Sequence, residues 1–298
     1  MRTLIKGKIE KPHAPIMVPE VIQGLKISKS GTYIDCTVGY GGHAQQILKQ
    51  LSSKGKLIGL DKDEVAIKYC RKNFFHYENF QLFHNSYNKI KDILSSSKIS
   101  KVNGMLLDLG LSSPQLDSNN RGFSFKVNSD LDMRYDLSQE IKASDILNTK
   151  SKKEIADIIY LYGEERRSKI IADRIFKMRP IQSVFELVEA IRTSTPPKNR
   201  NKTLSRVFQA IRIHVNNELN ILENFLSFFH DYLSIGGRIV FISFHSLEDR
   251  LVKHALRDLS QKKKMQILSK KPITPTKEEM VINSRSRSAK LRFAEKIF

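Results

Sequence analysis

Over its first 110 residues the chain alternates short apolar runs with segments of helical period. This pattern predicts a mostly parallel sheet with helices packed on its faces. Four strands are expected, at Thr32 to Thr37, Leu57 to Leu60, Phe80 to Phe83 and Gly104 to Leu109, each running into a polar or glycine-containing segment. Between the first two, Ala44, Ile47, Leu48 and Leu51 recur at helical spacing, and between the second and third Val65, Ala66, Tyr69 and Cys70 form one stripe. These are the crossover helices that parallel strands require.

Near Leu116 the rhythm changes. A polar stretch leads into helical patterns with no strands between them, first Ile155, Ile158, Ile159 and Tyr162, then Ile170, Ile171 and Ile175. The run from Thr195 to Lys202, with Pro196-Pro197 and nothing periodic, predicts a basic loop. Val207, Ile211, Val215, Leu219, Leu222 and Leu226 then predict one long amphipathic helix. After Gly236-Gly237, a strand from Arg238 to Ser243 returns the chain to the sheet, a helix carrying Leu247, Leu251 and Ala255 follows, and Lys290 to Phe298 ends a basic tail as a final strand. The expected organisation is a doubly wound α/β domain of residues 1–116 and 215–298, with an all-helical subdomain inserted at 117–214.

Composition narrows the class. The 298 residues are 40% hydrophobic, enough for a sizeable core, and no apolar run approaches the ~20 residues of a membrane span. Two cysteines, Cys36 and Cys70, without CxxC spacing, exclude a disulfide framework and a cysteine zinc site, and reducing cytoplasm is the expected compartment. The formal net charge of +20 attracts a polyanion, nucleic acid or an acidic membrane surface, although a lysine-rich surface also follows from compositional bias.

The chemistry is expected in two loops. Asp35-Cys36-Thr37-Val38-Gly39-Tyr40-Gly41-Gly42-His43-Ala44 is a glycine-rich turn between the first strand and the first helix. There glycines allow close backbone approach to a nucleotide, and an acid some twenty residues on, here Asp61, can hold ribose hydroxyls. Gly39, Gly41 and Ala44 also satisfy the dinucleotide pattern, so a nicotinamide-dependent oxidoreductase is one reading. The second loop, Asp108-Leu109-Gly110-Leu111-Ser112-Ser113-Pro114-Gln115, follows the fourth strand at the carboxyl edge, where such sheets bind ligands. It resembles the Ser/Asp/Asn-Pro-Pro loop of amino-methylating enzymes, with Gln115 replacing the second proline and the aromatic. As plain structure, Ser-Pro is a common turn.

Further blocks make a resemblance specific: Tyr33 to Thr37 running into Gly41-Gly42-His43, Arg121-Gly122-Phe123-Ser124-Phe125, Leu131-Asp132-Met133-Arg134, Tyr162 to Arg166, Phe208 to Ile213, Val215 to Leu219, Ile242 to Arg250, Arg287 to Arg292, and His13-Ala14-Pro15 with Glu20. Together with the two loops, across nearly the whole length, they resemble the bacterial 16S (small-subunit) ribosomal RNA cytosine-N4 methyltransferase family. The resemblance implies a class I, Rossmann-like methyltransferase domain interrupted by helices, with S-adenosylmethionine contacted at Gly41, Gly42, His43, Asp61, Tyr87, Asp108 and Gln115. Tyr87 stands where the family usually has Phe, and Thr203-Leu204-Ser205 replaces its Pro-Ala-Thr before Arg206.

The implied reaction is methyl transfer to the N4 amine of a cytosine in the decoding region, on an assembled small subunit, needing no metal and no membrane. That amine is a poor nucleophile, so the base must be extruded, stacked and aligned. Asp108 and Ser113 are the candidate catalytic residues, and His43 is expected to act mainly through its backbone. Arg121, Phe123, Phe125, Arg134, Arg206 and His245 are candidate RNA contacts. Each has a structural alternative: Phe123 and Phe125 as core anchors, Arg134 as the partner of Asp132, and His245 as a scaffold residue beside a helix capped by Ser246. A non-enzymatic RNA-binding assembly factor is the remaining alternative.

Overall fold

The computed structural model describes residues 15–117 and 120–298; His13 and Ala14 of the N-terminal block lie outside them. Seven strands form one sheet: β1 Thr32–Asp35, β2 Lys56–Asp61, β3 Phe80–His84, β4 Val102–Asp108, β5 Leu233–Ser243, β6 Met265–Ile267 and β7 Lys290–Lys296. Their order is β3-β2-β1-β4-β5-β7-β6; β1 to β5 run parallel, and β7 is antiparallel to β5 and β6. Winding reverses between β1 and β4, and such a switch point opens a ligand crevice at the carboxyl ends of the strands.

Thirteen α-helices are described: α1 Val18–Leu25, α2 Gly42–Leu48, α3 Glu64–Asn73, α4 Ile90–Ser96, α5 Ser113–Asp117, α6 Ala143–Thr149, α7 Lys152–Gly163, α8 Ser168–Lys177, α9 Val184–Thr193, α10 Arg200–Asn216, α11 Glu218–Phe228, α12 Ser246–Gln261 and α13 Lys277–Ile282. Period-two alternation divides the central strands between two cores. Ile239 and Phe241 of β5 belong to one apolar cluster, and Val240 and Ile242 to the other. A third cluster is built wholly from residues between Phe123 and Val215, so the helices α6 to α10 pack around a core of their own. Capping boxes start two of them, Ser151 with Glu154 on α7 and Ser183 with Glu186 on α9.

Several expectations are corrected. The stretch from Thr195 to Lys202 is not all loop: a 3-10 turn spans Pro197–Asn199 and α10 begins at Arg200, with the proline supplying the fixed φ of a helical start. The long helix through Val207 to Leu226 is two helices, because Asn217 takes a left-handed conformation (φ 51°, ψ 38°) that ends α10 and starts α11. Gly236-Gly237 does not precede β5 but lies within it, at a register shift opposite Val102 and Gly104. Val65 and Ile170 leave their predicted stripes and are exposed, while Ile67 turns inward. The edge strand β6, of three residues, is too short to carry a readable period, and helix α1 was not among the expected elements.

Candidate active site

At the carboxyl edge of β1, β2, β4 and β5 a crevice of about 470 Å3 runs from the glycine turn to the helices α10 and α11. Its first end is built by the turn after β1. Gly41 caps α2 with φ +79°, and a Cβ there would meet the Phe74 ring at 2.4 Å, so only glycine fits. Asp61 closes this end. Its carboxylate accepts from the backbone N–H of Gly39 (2.8 Å) and of Asp63 (2.9 Å), and burial pushes its pKa to about 6 despite those bonds.

Two further carboxyls lie under the crevice. Burial pushes both Asp35 and Asp108 up to about 7. Asp35 Oδ2 and Asp108 Oδ1 make no hydrogen bond among the described residues. The Asp108 backbone N–H donates to Thr37 Oγ1 (2.7 Å), which locks the ends of β1 and β4 together. The His43 side chain is itself engaged, contrary to the expectation of a backbone role. Its Nε2 lies 2.8 Å from the Ile16 carbonyl, which only accepts, so that nitrogen carries the proton. Burial lowers the His43 pKa, leaving Nδ1 as a lone pair 3.5 Å from Asp108 Oδ2.

The other end is aromatic and polar. Phe123 stacks on Tyr135 (centroids 5.6 Å, interplanar 27°), and Phe125 meets Phe208 edge-on at 5.6 Å. Beyond them Arg212 holds Glu218 through two bonds, Nε–Oε1 at 2.8 Å and Nη2–Oε2 at 3.0 Å. Glu248 Oε2 accepts from the Phe244 N–H (2.9 Å) and the His245 N–H (3.4 Å). Burial opposes its ionisation, yet His245, Arg212 and the Phe244 amide prevail and hold its pKa below the ordinary value. Tyr135 Oη is buried without a hydrogen-bond partner among the described residues, and His245 Nε2 lies 3.2 Å from Glu248 Oε1.

The N-cap of α12 is His245, not Ser246: its Nδ1 accepts from the Glu248 N–H (3.4 Å), while Ser246 Oγ donates to Glu164 (2.6 Å). An imidazole accepting at Nδ1 carries its proton on Nε2. Glu218, His245 and Glu248 offer ligand atoms within 4.8 Å of one another, the spacing of a metal site. The set is already committed, since both Glu218 oxygens hold Arg212 and the His245 Nε2 lone pair is taken by its proton.

The predicted site residues divide accordingly. Gly42, His43, Asp61, Tyr87, Asp108, Ser113, Gln115, Phe123, Phe125 and His245 all border the crevice. Gln115 spends its side chain on Asp63 Oδ2 (2.9 Å) and the Ser112 N–H (3.0 Å), so it braces the loop. Tyr87 packs edge-on against Phe225 at 5.4 Å. Phe123 is core, 5% exposed, yet one edge of its ring reaches the crevice. Arg121 is no surface cation: it is buried, 3.3 Å from Asp63 and bonded to the carbonyls of Arg134 and Tyr135. Arg134 is committed to Asp132 (2.8 and 2.7 Å), and Arg206 stands outside the crevice, 3.4 Å from Glu165. Asp35, Tyr135, Arg212, Glu218 and Glu248 are functional candidates that were not singled out, although most lie within the sequence blocks that carry the resemblance.

A glycine turn, a β2-terminal acid and a β4-terminal acid around the switch point of a sheet whose β7 alone reverses beside β5 define a class I S-adenosylmethionine-dependent methyltransferase. More particularly, the chain belongs to the MraW methylase family, whose model matches residues 10–297. It is 48% identical to the ribosomal RNA small subunit methyltransferase H of Thermosipho africanus, over 97% of this chain and 99% of that protein. Identity is 45% to the protein of the same name from Kosmotoga olearia (98% and 100% covered) and 42% to that of Clostridium botulinum strain Kyoto (97% and 100%). Among the described residues no helix is long and apolar enough to cross a membrane.

Proposed function

We propose that the protein methylates the N4 amine of a cytosine in the decoding region of 16S ribosomal RNA, acting in the cytoplasm on the assembled small subunit. Residues 1–116 and 215–298 form the methyltransferase domain, and 117–214 the substrate-recognition insertion. The names of the relatives support the ribosomal substrate. The observation that carries the reading is one crevice that joins an unpartnered buried Asp108 oxygen at one end to aromatic rings and the unpartnered Tyr135 hydroxyl at the other.

The residues present fit the methyl donor. S-adenosylmethionine supplies an electrophilic methyl on a sulfonium and carries an ammonium, charges that unpaired acceptors at Asp35 and Asp108 complement. Asp61, fixed by two backbone amides, is set to accept from ribose hydroxyls, and Gly41, Gly42 and His43 form the turn that would hold the amino-acid portion. Tyr87 borders the adenine side, and Gln115 holds the β4 loop in shape.

At the acceptor end Tyr135, Phe123 and Phe125 offer ring surface to an extruded base. Tyr135 O–H is a free donor for the N3 acceptor of cytosine, whereas uracil presents an N–H at N3 and would leave a donor facing a donor. Asp108 Oδ1 and the Ser112-Ser113-Pro114 turn bound the amine. With its carboxyl near 7, Asp108 can take the proton the amine releases. The test is to incubate the protein with labelled donor and unmodified small subunits and to map the product by mass spectrometry. Label on one cytosine N4 is expected; label on another base, or none, overturns the reading.

A further inference from the structure

A second cavity, of about 710 Å3, lies beside the crevice, between the insertion and helix α12. Helix α10 serves both. Ser205, Phe208, Gln209 and Arg212 face the crevice at i, i+3, i+4, i+7 spacing, and the adjoining stripe of Lys202, Thr203 and Arg206 faces the groove. Helix α12 is shared in the same way: its cap His245 borders the crevice, and Leu247 and Arg250 border the groove. The end of α7 and the turn after it form the opposite wall.

The groove is cationic beyond its own needs. Arg166, Arg167, Lys202, Arg206 and Arg250 face only Glu164 and Glu165. Glu164 is taken by Arg250 (2.9 Å), and Glu165 lies 3.4 Å from Arg206. Arg167 donates to the Ser194 carbonyl (3.2 Å). Arg166 and Lys202, both exposed, have no ion pair among the described residues. On the same wall Tyr160 is 58% exposed, a large aromatic that no core explains. Free cations beside an open aromatic face are what single-stranded nucleic acid requires, for phosphates and for a stacked base.

We propose that this groove binds the single-stranded RNA backbone continuous with the nucleotide held in the crevice, with Arg166, Lys202 and Arg206 on successive phosphates and Tyr160 beneath a neighbouring base. The proposal rests on the RNA reading above and adds the route the strand takes. Because α10 borders both cavities, a strand leaving the crevice reaches the groove along one helix.

The test compares wild type with the double variant Arg166→Gln/Lys202→Gln and with Tyr160→Ala and Tyr160→Phe, measuring methylation of unmodified small subunits and binding of a short single-stranded RNA oligonucleotide. All three substituted residues are exposed, so melting temperature and S-adenosylmethionine affinity should not move. The double variant should raise KM for the subunit and reduce the slope of log affinity against log salt by about 1.4, two phosphates at about 0.7 each on single strands. Tyr160→Ala should weaken oligonucleotide binding about ten-fold, and Tyr160→Phe should restore it. Unchanged KM and salt slope in the double variant, with wild-type methylation intact, would sink the groove and leave the methylation reading standing. Weakened binding of the subunit alone, with the oligonucleotide unaffected, would assign the groove to a subunit protein and overturn the proposal. A wild-type protein that methylates no small-subunit RNA would overturn both.

Discussion

Asp35 and Asp108 stand out at the ends of β1 and β4 because each has one buried carboxylate oxygen without a partner and a pKa pushed by burial to about 7. Their folded pKa lies above the unfolded value, so each holds more protons when folded, and the free protein loses stability at these sites as pH rises from about 4 toward 7. A cationic donor favours the ionised forms. Its affinity should therefore rise with pH through about 7, and the melting-temperature increase caused by saturating S-adenosylmethionine should be larger at pH 7.5 than at pH 6. An equal increase at both would remove these carboxyls from the donor site. Asp61→Ala should weaken donor binding at least about ten-fold by titration calorimetry, since a hydrogen bond to a charged group is worth about 1.5–3 kcal/mol and the Gly39 amide also loses its acceptor. Glu218→Gln should also lower stability, by about 1–3 kcal/mol in denaturant unfolding, because Arg212 loses its hydrogen-bonded counter-charge and keeps only the charge of Glu248.

At the scale of elements, the break between α10 and α11 positions the polar end of the crevice. Asn217 places Glu218 one residue beyond the turn, where Arg212, six positions earlier, can reach it. Asn216 ties the same corner to the preceding loop, accepting from the Tyr135 N–H (2.7 Å) and donating to the Met133 carbonyl (2.7 Å). Asn217→Ala puts a Cβ in the left-handed region without a local hydrogen-bonding side chain and should lower stability by about 1–2 kcal/mol. Asn217→Gly should be close to neutral. Thermal unfolding of the pair distinguishes this from a side-chain role, in which both would lose equally. An uninterrupted apolar period from Val207 to Leu226 concealed the break, since asparagine at one position says little until the chain around it is seen to reverse.

For the whole molecule, the net charge of +20 and the acidic crevice answer to different ligands. RNA affinity should fall at least about 100-fold between 50 and 200 mM salt through counterion release, while donor affinity should hardly change. Filter binding and calorimetry on one preparation would check both, and a salt-insensitive RNA affinity would contradict polyanion docking. Helices α6 to α10, with their own core, face the sheet edge across the crevice, so the proposed acceptor end is made where two separately packed bodies meet.

Much of this was legible in the residues alone because it is set by near neighbours. Alternating apolar runs mark strands, glycines mark the turn after β1, and an acid at the end of β2 follows from the length of one crossover; these located Gly41, Asp61 and Asp108. Destinations of long side chains are not local in that sense. Arg121 looked like a surface cation and is buried on Asp63, and Arg134 is spent on Asp132, because packing and ion pairing, not charge, decided where they went. The meeting of Tyr135, Arg212, Glu218 and His245, drawn from segments far apart in the chain, exists only once the insertion docks against the sheet. No periodicity encodes that distance, so the acceptor end of the crevice was decided by the tertiary structure.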